Sequence, residues 1–111
     1  MSSLPKLCEP PRAQMVTLEV RDSIAWVRFS RPEKHNAMSP RLNRQMMEVL
    51  DEIEFRDDAG VLVLTGEGSA FTAGMDLQEY FRDTEAEGLV AIRRAQRESY
   101  GWWRRLRWFQ K

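Results

Sequence analysis

The chain has 111 residues, enough for one small domain with a modest core. Its 42% hydrophobic and 31% charged residues are ordinary for a water-soluble protein, and 17 Lys and Arg against 17 Asp and Glu give no net charge to favour nucleic acid. A single cysteine, Cys8, excludes an internal disulfide and fits a reducing compartment, while no apolar run nears the ~20 residues of a membrane span. The N-terminus carries charge and prolines but no apolar signal core, so a cytoplasmic protein is expected.

Residues 1–15, with Pro5, Pro10 and Pro11, read as a flexible leader. Val16 to Val20 alternates apolar and polar residues, Arg21-Asp22-Ser23 can turn, and Ile24 to Phe29 is a second apolar, β-branched and aromatic run. The pair predicts a β-hairpin. A loop over residues 31–38 follows, then Ser39-Pro40, a hydroxyl N-cap with proline at the first helical position. Leu42, Met46, Val49, Leu50 and Ile53 lie at helical spacing and form one apolar stripe. Asp57 to Gly60 closes that helix. Val61-Leu62-Val63-Leu64 is a short continuous apolar run, the pattern of a central parallel strand buried on both faces.

Thr65 to Ala73 is a loop of small residues, and Gly74-Met75-Asp76-Leu77 leads into a further helix. From Leu89 the positions Leu89, Ile92, Ala95, Ser99, Trp102, Trp103, Leu106 and Phe109 follow a helical pattern among arginines. Such a helix reads as an amphipathic element whose aromatic face covers a sheet; a small Arg/Trp interaction module is the competing reading. The order of elements is α/β. In a parallel layout the next element after this helix is a strand returning beside residues 61–64, so a truncated chain is expected.

The candidate chemistry sits before Asp76. A strand opens into glycines and small residues, and a helix begins, so unpaired backbone N–H groups can meet an oxygen that gains negative charge. Asp76 as a plain helix cap is the bland alternative. Gly66-Glu67-Gly68 lacks the spacing of a dinucleotide or P-loop fingerprint. His35 is the one histidine, which leaves no set for a metal site or a Ser/His/Asp triad.

Residues 24–38, 60–66 and 69–77, in that order and spacing, resemble the opening of the enoyl-CoA hydratase (crotonase) family, and the resemblance spans residues 16–111. Within it, the run from Ala73 to Phe81 is most similar to the 4-hydroxycinnamoyl-CoA (feruloyl-CoA) hydratase/lyases. The resemblance implies the N-terminal part of a crotonase-like ββα spiral fold, incomplete here. It implies hydration and cleavage of a hydroxycinnamoyl-CoA to an aromatic aldehyde, vanillin or 4-hydroxybenzaldehyde, and acetyl-CoA. Another enoyl-CoA hydratase or isomerase is the nearest alternative. No separate cofactor is implied, since coenzyme A is part of the substrate. Full-length members are expected as homo-oligomers, a trimer or dimer of trimers, with no membrane or nucleic-acid partner.

The resemblance also assigns roles. Met75 supplies a backbone oxyanion donor. Ala73 and Leu77 line the CoA channel, Lys34 and Ala37 lie near its nucleotide end, and Tyr80 hydrogen-bonds the 4-hydroxyl of the aryl ring. The second donor and the acid–base glutamate belong to later segments, so the chain by itself is expected to be inactive. Glu67 and Glu79 match neither role.

Overall fold

Two short strands and a two-residue turn start the structure, a computed structural model that describes residues 14–85 and 87–111. The expected leader, with Cys8, falls largely on residues 1–13 and so lies outside the described residues. Strands β1 (Val16–Arg21) and β2 (Ile24–Phe29) pair antiparallel from Val16↔Phe29 to Arg21↔Ile24. Asp22 and Ser23 between them both have positive φ, 54° and 66°, as a tight hairpin turn requires for its twist to match the strands. Alternation then sorts the faces: Ala25, Val27 and Phe29 are buried, while Ile24, Trp26 and Arg28 are only partly covered.

Helix α1 (Pro40–Glu54) begins as its cap residues demand. Ser39 Oγ accepts a hydrogen bond from the Leu42 N–H at 3.1 Å, and Pro40 occupies the first turn, where its missing N–H costs nothing. Leu42, Met46, Leu50 and Ile53 are fully buried against Val16, Ala25, Val27 and Phe29, the main core of the molecule. Gln45 reaches back from α1 to accept the backbone N–H groups of Met15 and Val16, which fixes the start of β1 on the helix.

The chain leaves α1 and forms β3 (Val61–Gly66), parallel to β2 in the register Ile24↔Val61 to Phe29↔Gly66. The sheet order is β1-β2-β3. The expectation of a central strand buried on both faces is therefore corrected: β3 is parallel, but it lies at the edge. Val61 is 53% exposed, and Leu62 to Leu64 are only partly buried. Among the described residues, a single strand pairs with β3, so one side of its ladder has no neighbour to exclude water.

Helices α2 (Leu77–Glu85) and α3 (Leu89–Arg107) complete the structure. The expected cover of the sheet by α3 is also corrected. The helix packs mainly on α1 and α2, and its Trp102 reaches Phe29 of the sheet. That ring is fully buried, sits edge-on to Phe29 at 5.9 Å between centroids, and donates its Nε1–H to Asn43 Oδ1 at 2.7 Å. Arg105 clamps α3 to α1 through Asp51 and Glu54. Arg93, Arg94, Arg97, Arg104 and Arg107 stay exposed. No described helix is long and apolar enough to cross a membrane.

Candidate functional site

Beyond Gly66 the chain peels away from the sheet, and residues 67–76 lie against the loop over residues 31–38. Asn36 holds the two together. Its φ of 59° is one that asparagine adopts more readily than most residues. The side chain is fully buried, and every polar group of it is paired. Its Oδ1 accepts the Arg31 N–H at 2.7 Å, and its Nδ2 donates to the carbonyls of Glu67 at 2.9 Å and Ala70 at 2.8 Å. Thr72 Oγ1 donates to the Asn36 carbonyl at 2.7 Å and accepts the Gly74 N–H at 3.1 Å. The Ala73 N–H donates to the His35 carbonyl at 2.9 Å.

The seam ends in a one-residue parallel bridge between Met38 and Met75. The Met38 N–H donates to the Gly74 carbonyl at 2.7 Å, and the Asp76 N–H donates to the Met38 carbonyl at 2.8 Å. In such a bridge the neighbours of Met75 make the bonds, so its own N–H points away from Met38. Gly74, at φ 97°, turns the chain into this geometry, and an added Cβ there would meet nothing within 4 Å. It is the φ, not crowding, that calls for glycine.

Asp76 starts α2. Its Oδ1 accepts the Glu79 N–H at 3.1 Å, so the helix-cap reading holds. Asp76 is only 8% exposed, and its other oxygen, Oδ2, faces Arg31 Nη2 at 3.2 Å. The same nitrogen lies 3.3 Å from Glu79 Oε1, while Nη1 donates to the Ala37 carbonyl at 2.6 Å. Arg31 is itself 4% exposed. Glu79 is thus a partner of Arg31, and Glu67 accepts the Ser30 hydroxyl, which gives both glutamates structural occupations.

Two apolar hollows flank Met75. One, of about 260 Å³, is lined by Met75, Leu77, Phe81, Ile92, Ser99 and Tyr100 among others, between α2 and α3. A smaller one of about 50 Å³ adjoins it, bounded by Met38, Asn43, Met75 and Trp103 as well as Ser99 and Tyr100. Leu77, Phe81, Ile92 and Tyr100 remain exposed hydrophobics around the mouth.

The structure brings Ala37, Ala73, Met75 and Leu77 to one seam. Met75 and Leu77 line the larger hollow; Ala37 and Ala73 lie further along the loop contact and line neither. Lys34 ends an exposed 3-10 turn, Pro32–Lys34, at the outer end of the seam, where its carbonyl accepts the Ala37 N–H at 3.0 Å. Tyr80 belongs to the first turn of α2, but its side chain lies outside the described residues. Arg31 and Asn36 do not stand out in the sequence as site residues. The one signal for them is an arginine and an asparagine in an otherwise polar loop, and their partners lie up to 48 residues away. Among the described residues no group of three or more His, Cys, Asp or Glu side chains could hold a metal ion.

Comparison with known proteins gives a consistent picture. The sequence profile of the enoyl-CoA hydratase/isomerase family matches residues 19–107. The hydroxycinnamoyl-CoA hydratase-lyase of Pseudomonas fluorescens is 50% identical over 101 residues, 90% of this chain and 37% of that protein. The 4-chlorobenzoyl coenzyme A dehalogenase-2 of Arthrobacter is 47% identical over 64 residues, 58% of this chain and 23% of its own length. Among solved structures, Pseudomonas aeruginosa AtuE superposes with a TM-score of 0.69 at 27% identity, covering 76% of this chain and 32% of that one. The enoyl-CoA hydratase EchA1 of Mycobacterium marinum gives 0.59 at 32% identity, with 61% and 27% covered. The chain thus spans 37% of the length of the first of these curated relatives and 23% of the second. It belongs to the enoyl-CoA hydratase/isomerase family.

Proposed function

We propose that this chain forms the thioester-binding part of a hydroxycinnamoyl-CoA hydratase/lyase. The observation that carries the reading is the Met75 N–H. The bridge to Met38 turns it away from the loop contact, and Met75 is one of the residues that line an apolar hollow of about 260 Å³. The 50% identity to a hydroxycinnamoyl-CoA hydratase-lyase supports the choice within the family, as does a second relative named for a 4-substituted aryl thioester.

The chemistry follows from where charge builds up. Water adds to the β-carbon of the unsaturated thioester, and the displaced π electrons move onto the thioester oxygen as an enolate. A proton at the α-carbon completes hydration. In cleavage the β-hydroxyl loses its proton, the α–β carbon bond breaks, and its electron pair again becomes an enolate. The aryl aldehyde leaves, and protonation of the enolate gives acetyl-CoA. Both steps need hydrogen-bond donors at the same oxygen, and loss of one such donor typically costs ~10²–10³ in rate. Met75 provides one donor. Leu77 and Ala73 line the path of the pantetheine arm, and Lys34 and Ala37 stand toward the nucleotide. The aryl ring enters the hollow beside Met75, with Tyr80 at its 4-hydroxyl. The second donor and the acid–base carboxylate come from outside these residues, so the 111-residue chain alone does not turn over. The working enzyme is a cytoplasmic homo-oligomer, a trimer or dimer of trimers, with no cofactor beyond the CoA of its substrate.

The test uses an active enzyme carrying this segment. Tyr80→Phe removes one hydrogen bond and almost no volume. It should lower kcat/KM for feruloyl-CoA by the equivalent of about 1–3 kcal/mol and leave crotonyl-CoA unaffected. Equal effects on both substrates would reduce Tyr80 to a packing residue and return the reading to an unspecified enoyl-CoA hydratase or isomerase.

A further inference from the structure

Arg31 lies outside both hollows, yet it makes contact with each side of the bridge that aims Met75. Its Nη1 donates to the carbonyl of Ala37, the residue before Met38, at 2.6 Å. Its Nη2 pairs with Asp76, the residue after Met75, at 3.2 Å and with Glu79 at 3.3 Å. The bridge itself has just two hydrogen bonds, Met38 N–H to Gly74 and Asp76 N–H to Met38. An isolated pair of this kind lacks the neighbouring ladder that steadies a strand. A buried, planar guanidinium that grips both flanks replaces that support, because its fork offers several donors at fixed angles. The Arg31 backbone is fixed in turn: its N–H donates to Asn36 Oδ1, and its carbonyl accepts the N–H groups of Lys34 and Asn36.

We propose that Arg31 is a positioning residue for the oxyanion donor. It holds the Met38–Met75 bridge closed through the Ala37 carbonyl and the Asp76 and Glu79 carboxylates, and so fixes the direction of the Met75 N–H. The link to thioester chemistry rests on the reading of Met75 given above; the mechanical role does not. Arg31 touches neither hollow, so its loss should weaken polarisation of a bound thioester far more than its affinity. A lysine keeps the charge but cannot span both flanks, so it should recover only part of the effect.

Two measurements on the 111-residue chain separate these points. Amide hydrogen exchange, resolved by residue, reads the bridge directly. Arg31→Met should speed exchange at the Met38 and Asp76 amides about tenfold or more, with Val27 in the middle strand unchanged, and Arg31→Lys should fall between. Unchanged exchange at Met38 and Asp76 overturns the proposal, and so does an equal rise at Val27, which marks general loosening. If Arg31→Met does not fold, Arg31→Lys carries the test, and wild-type protection at both amides overturns it. The second measurement is the infrared carbonyl stretch of ¹³C-labelled cinnamoyl-CoA bound to the chain. Wild type should lower it, and Arg31→Met should abolish that lowering while Kd changes less than about threefold. Loss of affinity and lowering in equal measure overturns the positioning role. A wild-type chain that leaves the carbonyl unmoved overturns the oxyanion reading of Met75, and the exchange data then decide the mechanical role of Arg31 independently.

Discussion

Gly66 shows how tightly the site loop is pressed onto the sheet. It is the last residue of β3, and the chain folds straight back over it. A Cβ built there would lie 2.6 Å from the Ala70 carbonyl oxygen and 2.7 Å from Asn36 Nδ2, and closer still to the Phe71 carbonyl. Two of these three neighbours are backbone, which cannot move aside cheaply. Gly66→Ala should therefore destabilise the chain by about 1–3 kcal/mol, read from the urea midpoint, and should disturb the Asn36 side-chain amide resonances. A neutral substitution would mean that the loop packs less closely than the contacts around Asn36 require. By contrast, Gly74 is needed for its positive φ in open space, so strain there would come from the backbone rather than from collision.

At the scale of elements, α3 tests how a helix can be anchored by few residues. Ala95, Ser99 and Trp102 are its buried positions, whereas Leu89, the first residue of the expected stripe, is 62% exposed. The periodicity correctly marks a helix, but it does not say which part of the stripe finds a neighbour. Gly101 lies inside this helix, where glycine costs conformational entropy. An added Cβ would meet Met47 Sδ at 3.9 Å, an ordinary contact with α1. Gly101→Ala should raise stability by about 0.5–1 kcal/mol, seen as a higher urea midpoint at unchanged slope. A fall in stability would show that α3 sits closer to α1 than this contact allows.

At the scale of the whole molecule, Trp102 is the point where sheet, crossover helix and last helix meet. It packs on Phe29, stacks on Trp103 at 4.4 Å and bonds Asn43. Trp102→Phe retains an aromatic ring but removes the N–H, so the buried Asn43 oxygen loses that donor. About 1–3 kcal/mol should be lost by urea unfolding, against roughly 3–5 kcal/mol for Trp102→Ala. Equal losses would assign all of the effect to volume. The sequence by itself determined what rests on near neighbours. The hairpin follows from alternation, α1 from its Ser39-Pro40 cap and apolar stripe, and the helix after Asp76 from a side chain that reaches three residues on. It also displayed the family pattern, because that pattern is an order of short motifs along the chain. Tertiary structure alone decided the rest. The run over residues 61–64 reads as buried on both faces, but burial depends on how many strands pair beside it, and among the described residues β3 has one. The Arg31 clamp joins residues 45 and 48 positions apart, and no local periodicity records such a pairing. An arginine looks solvated in a sequence. Only the fold supplies the two carboxylates and the carbonyl that let its charge stay buried, and with them the direction of the Met75 N–H.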